Sequence, residues 1–153
     1  MNGTPQHQTW QRGDYEISTD PARIDLAVTH RFLSEEAYWS PGVPREIVER
    51  AIGNSIVFGI YKGGAQAGLA RVVSDRATFA WICDVFVLPE HRGQGLGKWV
   101  MECITAHPEL QGLRRMLLAT RDAHGLYRQY GFTELPDPAK FMVRRDPEIH
   151  RRP

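Results

Sequence analysis

The segment VFVLPEHRGQGLGKW, Val85 to Trp99, constrains the fold of this chain more than any other stretch. An apolar run enters it. Three glycines at alternate positions, Gly93, Gly95 and Gly97, follow between Arg92 and Lys98. Leu96, Trp99, Val100, Cys103 and Ile104 then fall at i, i+3, i+4, i+7 and i+8, the spacing of an amphipathic helix. A strand that feeds a helix through glycines leaves backbone N–H groups unpaired at the positive end of the helix dipole. Without Cβ atoms, an anion can approach that backbone closely. A phosphate or pyrophosphate is the natural guest, with Arg92 and Lys98 adding charge. The P-loop spacing fails twice, because it needs glycine where Arg92 stands and Ser or Thr where Trp99 stands. The dinucleotide fingerprint also fails, since its third glycine would fall on Lys98 or Val100.

The anion site must be local, because 19 basic and 18 acidic residues give a formal charge of only +1. That balance argues against nucleic-acid or anionic-membrane partners. No apolar run approaches the roughly 18 residues of a membrane span, and the first residues carry no apolar signal core, so a cytoplasmic protein is expected. Cys83 and Cys103 form no CxxC pair and have no histidine cluster nearby; buried, reduced thiols and no metal site are expected.

The 153 residues suit one domain. The expected division is a loose tail over 1–13, a single domain over 14–145 and a second tail over 146–153. Tyr15 to Thr19 reads as a first strand. Asp20-Pro21 opens a helix with Ile24, Ala27, Val28, Arg31 and Phe32 on one stripe, ending near Ser34. SEEAYWSPGVP reads as a loop, and Pro44 starts a second helix. Ile56–Tyr61, Gln66–Val73 and Thr78–Val87 form a meander, with Phe79, Trp81, Cys83, Val85 and Val87 on one face and Thr78, Ala80, Ile82, Asp84 and Phe86 on the other. After the glycine segment and its helix come a buried strand at Met116–Ala119, a short helix from Ala123 to Tyr130 capped by Asp122 and ended by Gly131, and a late strand at Phe141–Val143. The pattern predicts a mixed α/β sheet with helices on both faces.

Arg92-Gly93-Gln94-Gly95-Leu96-Gly97-Lys98, preceded by the strand end Val85-Phe86-Val87-Leu88-Pro89, resembles the acetyl-coenzyme A motif of the GNAT N-acetyltransferase superfamily. Ala123-His124-Gly125-Leu126-Tyr127-Arg128-Gln129-Tyr130-Gly131-Phe132 is similar to that family's downstream A-x-x-[LF]-Y-x-x-x-G-F box. The resemblance implies a central splayed sheet. It implies pantetheine pairing with free amides in the splay, assigned to Val85 and Val87 with Phe86 between them. It places the pyrophosphate on the amides of Arg92, Gly93, Gln94, Gly95, Leu96, Gly97 and Lys98, Leu96 giving only its backbone. The implied activity is acetyl transfer from acetyl-coenzyme A to a primary amine of a small molecule or peptide. Dimers are common among such proteins, so a homodimer is an open expectation.

Acetyl transfer needs a neutral amine, and an alkylamine titrates near about 10.4, so a proton must leave. It needs donors toward the thioester oxygen, which the free amide near Val85 supplies. It gains from a proton donor to the leaving thiolate. Tyr127 matches the tyrosine of the family box and is the candidate donor. Asp84, at the middle of the site strand among Ile82 and Phe86, is a candidate base, and the alternative is a buried aspartate held by an arginine or the backbone. The glutamate that several relatives place three residues earlier is Trp81 here. His30 on the first helix and a water relay stay open. Tyr38 and Trp39 are candidates for the acceptor wall, or pack on the core. A chain that binds acyl-coenzyme A without turning it over, as a sensor, is the competing reading.

Overall fold

A computed structural model describes residues 6–150. Six strands run in spatial order β1 to β6: Thr9–Arg12, Tyr15–Ser18, Ile56–Lys62, Ala65–Ser74, Phe79–Val87 and Arg115–Leu118. The first five pair antiparallel, and β6 pairs parallel to β5, giving a mixed open sheet. Helices α1 (Leu26–Arg31) and α2 (Arg45–Gly53) cover one face, and α3 (Leu96–Ala106) and α4 (His124–Arg128) the other.

Each face has its own core. β3 is apolar on both sides and supplies both cores. Phe58 and Ile60 pack toward Trp99, Val100 and Ile104 of α3. Val57 packs with Phe32, Val48 and Ile52 on the opposite side. Such a doubly covered strand reads as a continuous apolar run, which Ile56–Tyr61 is. A buried amide bridge docks α1: Gln66 accepts from the Asp25 amide at 2.7 Å and donates to Thr29 Oγ1 at 2.9 Å.

Several expectations are corrected. Residues 9–12 of the supposed tail form β1, whose Trp10 ring stacks near Phe58 at 6.1 Å. The first helix breaks in two: Asp20 caps a 3-10 turn at Pro21–Arg23, and Asp25 caps α1 through the Val28 amide. Its end is also later than Ser34, because Phe32–Glu36 adds a wide turn closed by the Ala37 amide on the Phe32 carbonyl. The cap of α4 is not Asp122, which is exposed; Thr120 Oγ1 accepts from the Ala123 amide at 3.0 Å. Phe141–Val143 forms no strand. Met142 is 98% exposed, and the Phe141 ring lies under the Arg115 guanidinium. The apolar run Phe141-Met142-Val143, between Lys140 and the Arg144-Arg145 pair, is too short to register against β6.

Strand β5 departs from simple alternation in a way that matters for the site. Arg71 faces Cys83, but Leu69 faces Phe86, so β5 carries one extra residue opposite β4. The extra residue is at Asp84, whose φ is +53°. The bulge swaps faces: Ala80 and Ile82 pack toward α3, whereas Phe86 stacks on Phe32 at 4.1 Å on the α1 side. Asp84 and Phe86 therefore do not continue the Ala80 and Ile82 face. At Gly68 the backbone comes so close to the bulged strand that a Cβ would lie 2.5 Å from the Phe86 carbonyl oxygen.

Candidate functional site

The parallel pairing of β5 with β6 runs only from Phe79–Arg115 to Ile82–Leu118. β5 continues to Val87, so among the described residues no strand pairs with Cys83 to Val87 on that edge. Backbone direction decides what this gap offers. The Leu88 amide bonds the Ala67 carbonyl of β4, at 2.8 Å. Strand groups alternate sides, so Phe86 also faces β4, and Val85 and Val87 turn their N–H and C=O into the gap. The Arg92 Nε–H donation to the Val87 carbonyl, at 2.9 Å, fits that direction. Arg92 thus folds back on the strand end.

The chain leaves β5 through a 3-10 turn, Pro89–His91, and enters the glycine loop. Gly93 and Gly95 have φ values of +81° and +76°, which side-chain-bearing residues rarely adopt. Cβ atoms added there would meet nothing within 4 Å, so the space over the loop is open. Gly97 is helical, and a Cβ there would make only an ordinary contact with Leu126 of α4, at 3.7 Å. The first intrahelical bond of α3 runs from the Trp99 amide to the Gly95 carbonyl. No backbone or side-chain acceptor among the described residues takes the amides of Gly93 to Lys98. Leu96 is buried and offers only its backbone, while Arg92, Gln94 and Lys98 are exposed. Such a row of free amides at a helix start suits a pyrophosphate.

Helix α4 closes the other side. Tyr130 O–H donates to the Lys98 carbonyl at 2.9 Å, tying α4 to the first turn of α3. Tyr127 is 9% exposed and packs in the same cluster as Ile82, Leu96 and, at its margin, Val85 and Val87. Burial first, and Tyr38 nearby second, push its phenol above the ordinary tyrosine range. It therefore keeps its proton at neutral pH.

On the opposite face, a cavity of about 280 Å³ opens beside the bulge, lined by Leu33, Val43, Ile47, Leu69, Cys83 and Asp84 among others. Asp84, the candidate base, has both oxygens engaged there. Oδ2 accepts from Arg71 Nε at 2.7 Å and Oδ1 from Trp39 Nε1 at 2.9 Å. Trp39 is among the residues that line this cavity and Tyr38 is not; both are held by contacts that the sequence did not reveal. Trp39 holds the β5 bulge, and Tyr38 accepts from the Arg121 amide at 3.2 Å, beyond the end of β6. The loop thereby crosses from one side of the splay to the other. His30 does not itself line the cavity, and its Nε2–H donates at 2.9 Å to the carbonyl of Val43, which does. Both thiols are protonated, burial raising Cys83 to about 11 and Cys103 to about 12. Arg71 was missed in the sequence, although one arginine in QAGLARVV and one aspartate in FAWICDVFV are the signal of a cross-strand ion pair.

Comparison with known proteins gives the same picture. Residues 53–134 match the family model for the acetyltransferase (GNAT) domain. A Gibberella zeae protein whose name places it with the acetyltransferases is 34% identical over 142 residues, covering 78% of this chain and 79% of that one. A crystal structure from Xanthomonas campestris pv. campestris, of a protein belonging to the GNAT family, is 47% identical, with a TM-score of 0.86 over 97% of this chain and 99% of that chain. A Clostridium acetobutylicum acetyltransferase structure with acetyl-coenzyme A is 13% identical and shares the fold, with a TM-score of 0.59 over 80% of this chain and 91% of that chain. The matching domain spans the bulged strand, the glycine loop and the tyrosine helix together, and the chain belongs to the GNAT family of acetyltransferases.

Proposed function

We propose that this chain is an N-acetyltransferase that moves the acetyl group of acetyl-coenzyme A onto a compact primary amine by direct attack. The observation that carries this reading is the splay of β5 from β6 at the point where the glycine loop begins. The free amides of Gly93 to Lys98 would hold the diphosphate. Val87 N–H would pair with the pantetheine arm, and Val85 N–H, beside it in the splay, would reach the thioester carbonyl. These residues fit the co-substrate because the loop is open above its glycines and its amides lack partners.

The amine enters from the α2 side, past Tyr38 and Trp39, with its proton already lost to water. Its nitrogen lone pair forms the new C–N bond as the C–S bond breaks. Val85 N–H donates to the carbonyl oxygen as charge develops there; a donor of this kind contributes roughly 10²- to 10³-fold in rate. Tyr127 gives its proton to the departing thiolate and regains one from solvent or from the newly formed amide nitrogen. Its raised pKa suits a donor at neutral pH, because the phenol is fully protonated there. Asp84, already accepting two hydrogen bonds, is not assigned the base's role.

The test is turnover of acetyl-coenzyme A with a panel of primary amines, read as release of free thiol. Amine-dependent release supports the reading. Tight binding of acetyl-coenzyme A with no release for any amine would instead leave a coenzyme sensor.

A further inference from the structure

The mechanism gives no part to a buried ion pair. Arg71 and Asp84 have side chains only 18% and 12% exposed, and each is the only charged residue in its strand. Replacing such a pair by apolar residues is often neutral for stability, so stability alone is a weak reason for it. The pair has an unusual number of anchors. Arg71 Nη1 donates to Ser55 Oγ at 3.1 Å, and Ser55 O–H donates to the Ala51 carbonyl near the end of α2. With Trp39 on the other oxygen, two side chains from different parts of the chain hold one carboxylate, and Ser55 steadies one of them.

That carboxylate belongs to the residue at φ +53°. An aspartate persists in the left-handed region only where its surroundings fix it. The bulge has a directional consequence. Leu69 and Phe86 are opposite and turn toward each other, so Arg71, two residues along β4, turns toward β5, and its partner Cys83 turns toward β4. By simple alternation Val85 would share the direction of Cys83 and spend its N–H on β4. One extra residue reverses it into the splay. We propose that Asp84 is a positioning residue: gripped by Arg71 and Trp39, it fixes the bulge that turns the Val85 N–H into the cleft, and it fastens the Tyr38–Trp39 loop across the acceptor side. This rests on the acetyltransferase reading above.

The full chain and its Asp84→Asn, Asp84→Ala and Trp39→Phe variants separate positioning from proton transfer. Asparagine tolerates the left-handed region and keeps an oxygen for the indole, so kcat stays within about tenfold with an unchanged pH profile. Alanine loses both, and kcat falls by about 10²-fold or more while the Kd for coenzyme A holds. Trp39 is 42% exposed, so Trp39→Phe folds; it raises KM for the amine several-fold without changing the Kd for coenzyme A. Asp84→Asn as slow as Asp84→Ala, with the acid limb gone from kcat/KM, would make Asp84 a base and overturn the proposal. So would wild-type kinetics in Trp39→Phe and Asp84→Ala. Should no amine be acetylated, the enzyme reading fails separately, and the Val85 ¹⁵N amide resonance still decides. Acetyl-coenzyme A, which carries the thioester carbonyl, shifts it in the wild type and not in Asp84→Ala; equal shifts in both, or a shift in neither, overturn the positioning role.

Discussion

Substituting glutamate for Gly95 puts two separable demands on the chain. Gly95 caps α3 at φ +76°. A residue with a Cβ there costs about 1–2 kcal/mol of folding stability. For a domain of this size, each kcal/mol lowers Tm by about 2–4 °C, so a fall of about 2–8 °C is expected. No further packing penalty arises, because a Cβ at this position meets nothing within 4 Å. The second demand appears only with coenzyme. A carboxylate about 4 Å from one phosphate charge is disfavoured by about 4 kcal/mol at an effective dielectric near 20. At about 1.4 kcal/mol per tenfold, Kd rises by about 10²- to 10³-fold. Gly95→Ala carries the strain without the charge and separates the two effects: a similar Tm with a Kd raised about tenfold or less. Calorimetric titration with coenzyme A, beside a thermal melt of each variant, reads both quantities. A Gly95→Glu protein whose Tm falls as expected but whose Kd is unchanged would refute the diphosphate placement.

Tyr127→Phe should lower kcat by about 10²-fold through loss of the proton donor while leaving the Kd for acetyl-coenzyme A nearly intact; a wild-type kcat in steady-state assays removes Tyr127 from the mechanism. Gly68→Ala should destabilise the fold by about 1–3 kcal/mol, since its Cβ would lie 2.5 Å from a carbonyl oxygen of the bulged strand; an unchanged urea midpoint contradicts that close approach. Stability should also depend on His107, which is buried and whose Nδ1 accepts from the Glu109 amide at 3.1 Å. Burial lowers its pKa in the fold, so its contribution is complete above the unfolded value of about 6.5 and is lost as pH falls through the folded value. A His107→Asn protein that loses Tm as steeply as wild type between pH 7 and 5 would show that His107 is not responsible.

The glycine segment was legible because its constraints are local. Two glycines hold positive φ, and the apolar periodicity after them describes α3. The central strands were legible for the same kind of reason, as β3 is buried on both faces. Other elements depend on contacts far along the chain. β1 is a polar stretch made a strand by pairing with β2, and no apolar pattern marks it beyond Trp10. The bulge at Asp84 is a count of residues opposite β4, which alternation within β5 alone cannot show, so Phe86 was placed on the wrong face. The Tyr38–Trp39 loop was identifiable as aromatic, but its two attachments, to Asp84 and Arg121, lie 45 and 83 residues away. Phe141–Val143 had strand composition without a partner in register.

A crystal grown with acetyl-coenzyme A tests the central claim most directly. The account predicts the diphosphate against the amides of Gly93 to Lys98, with the pantetheine arm bonded to Val87 and the thioester carbonyl to Val85 in the splay. Coenzyme seated elsewhere, or β5 and β6 zipped together beyond Ile82 and Leu118, would contradict it.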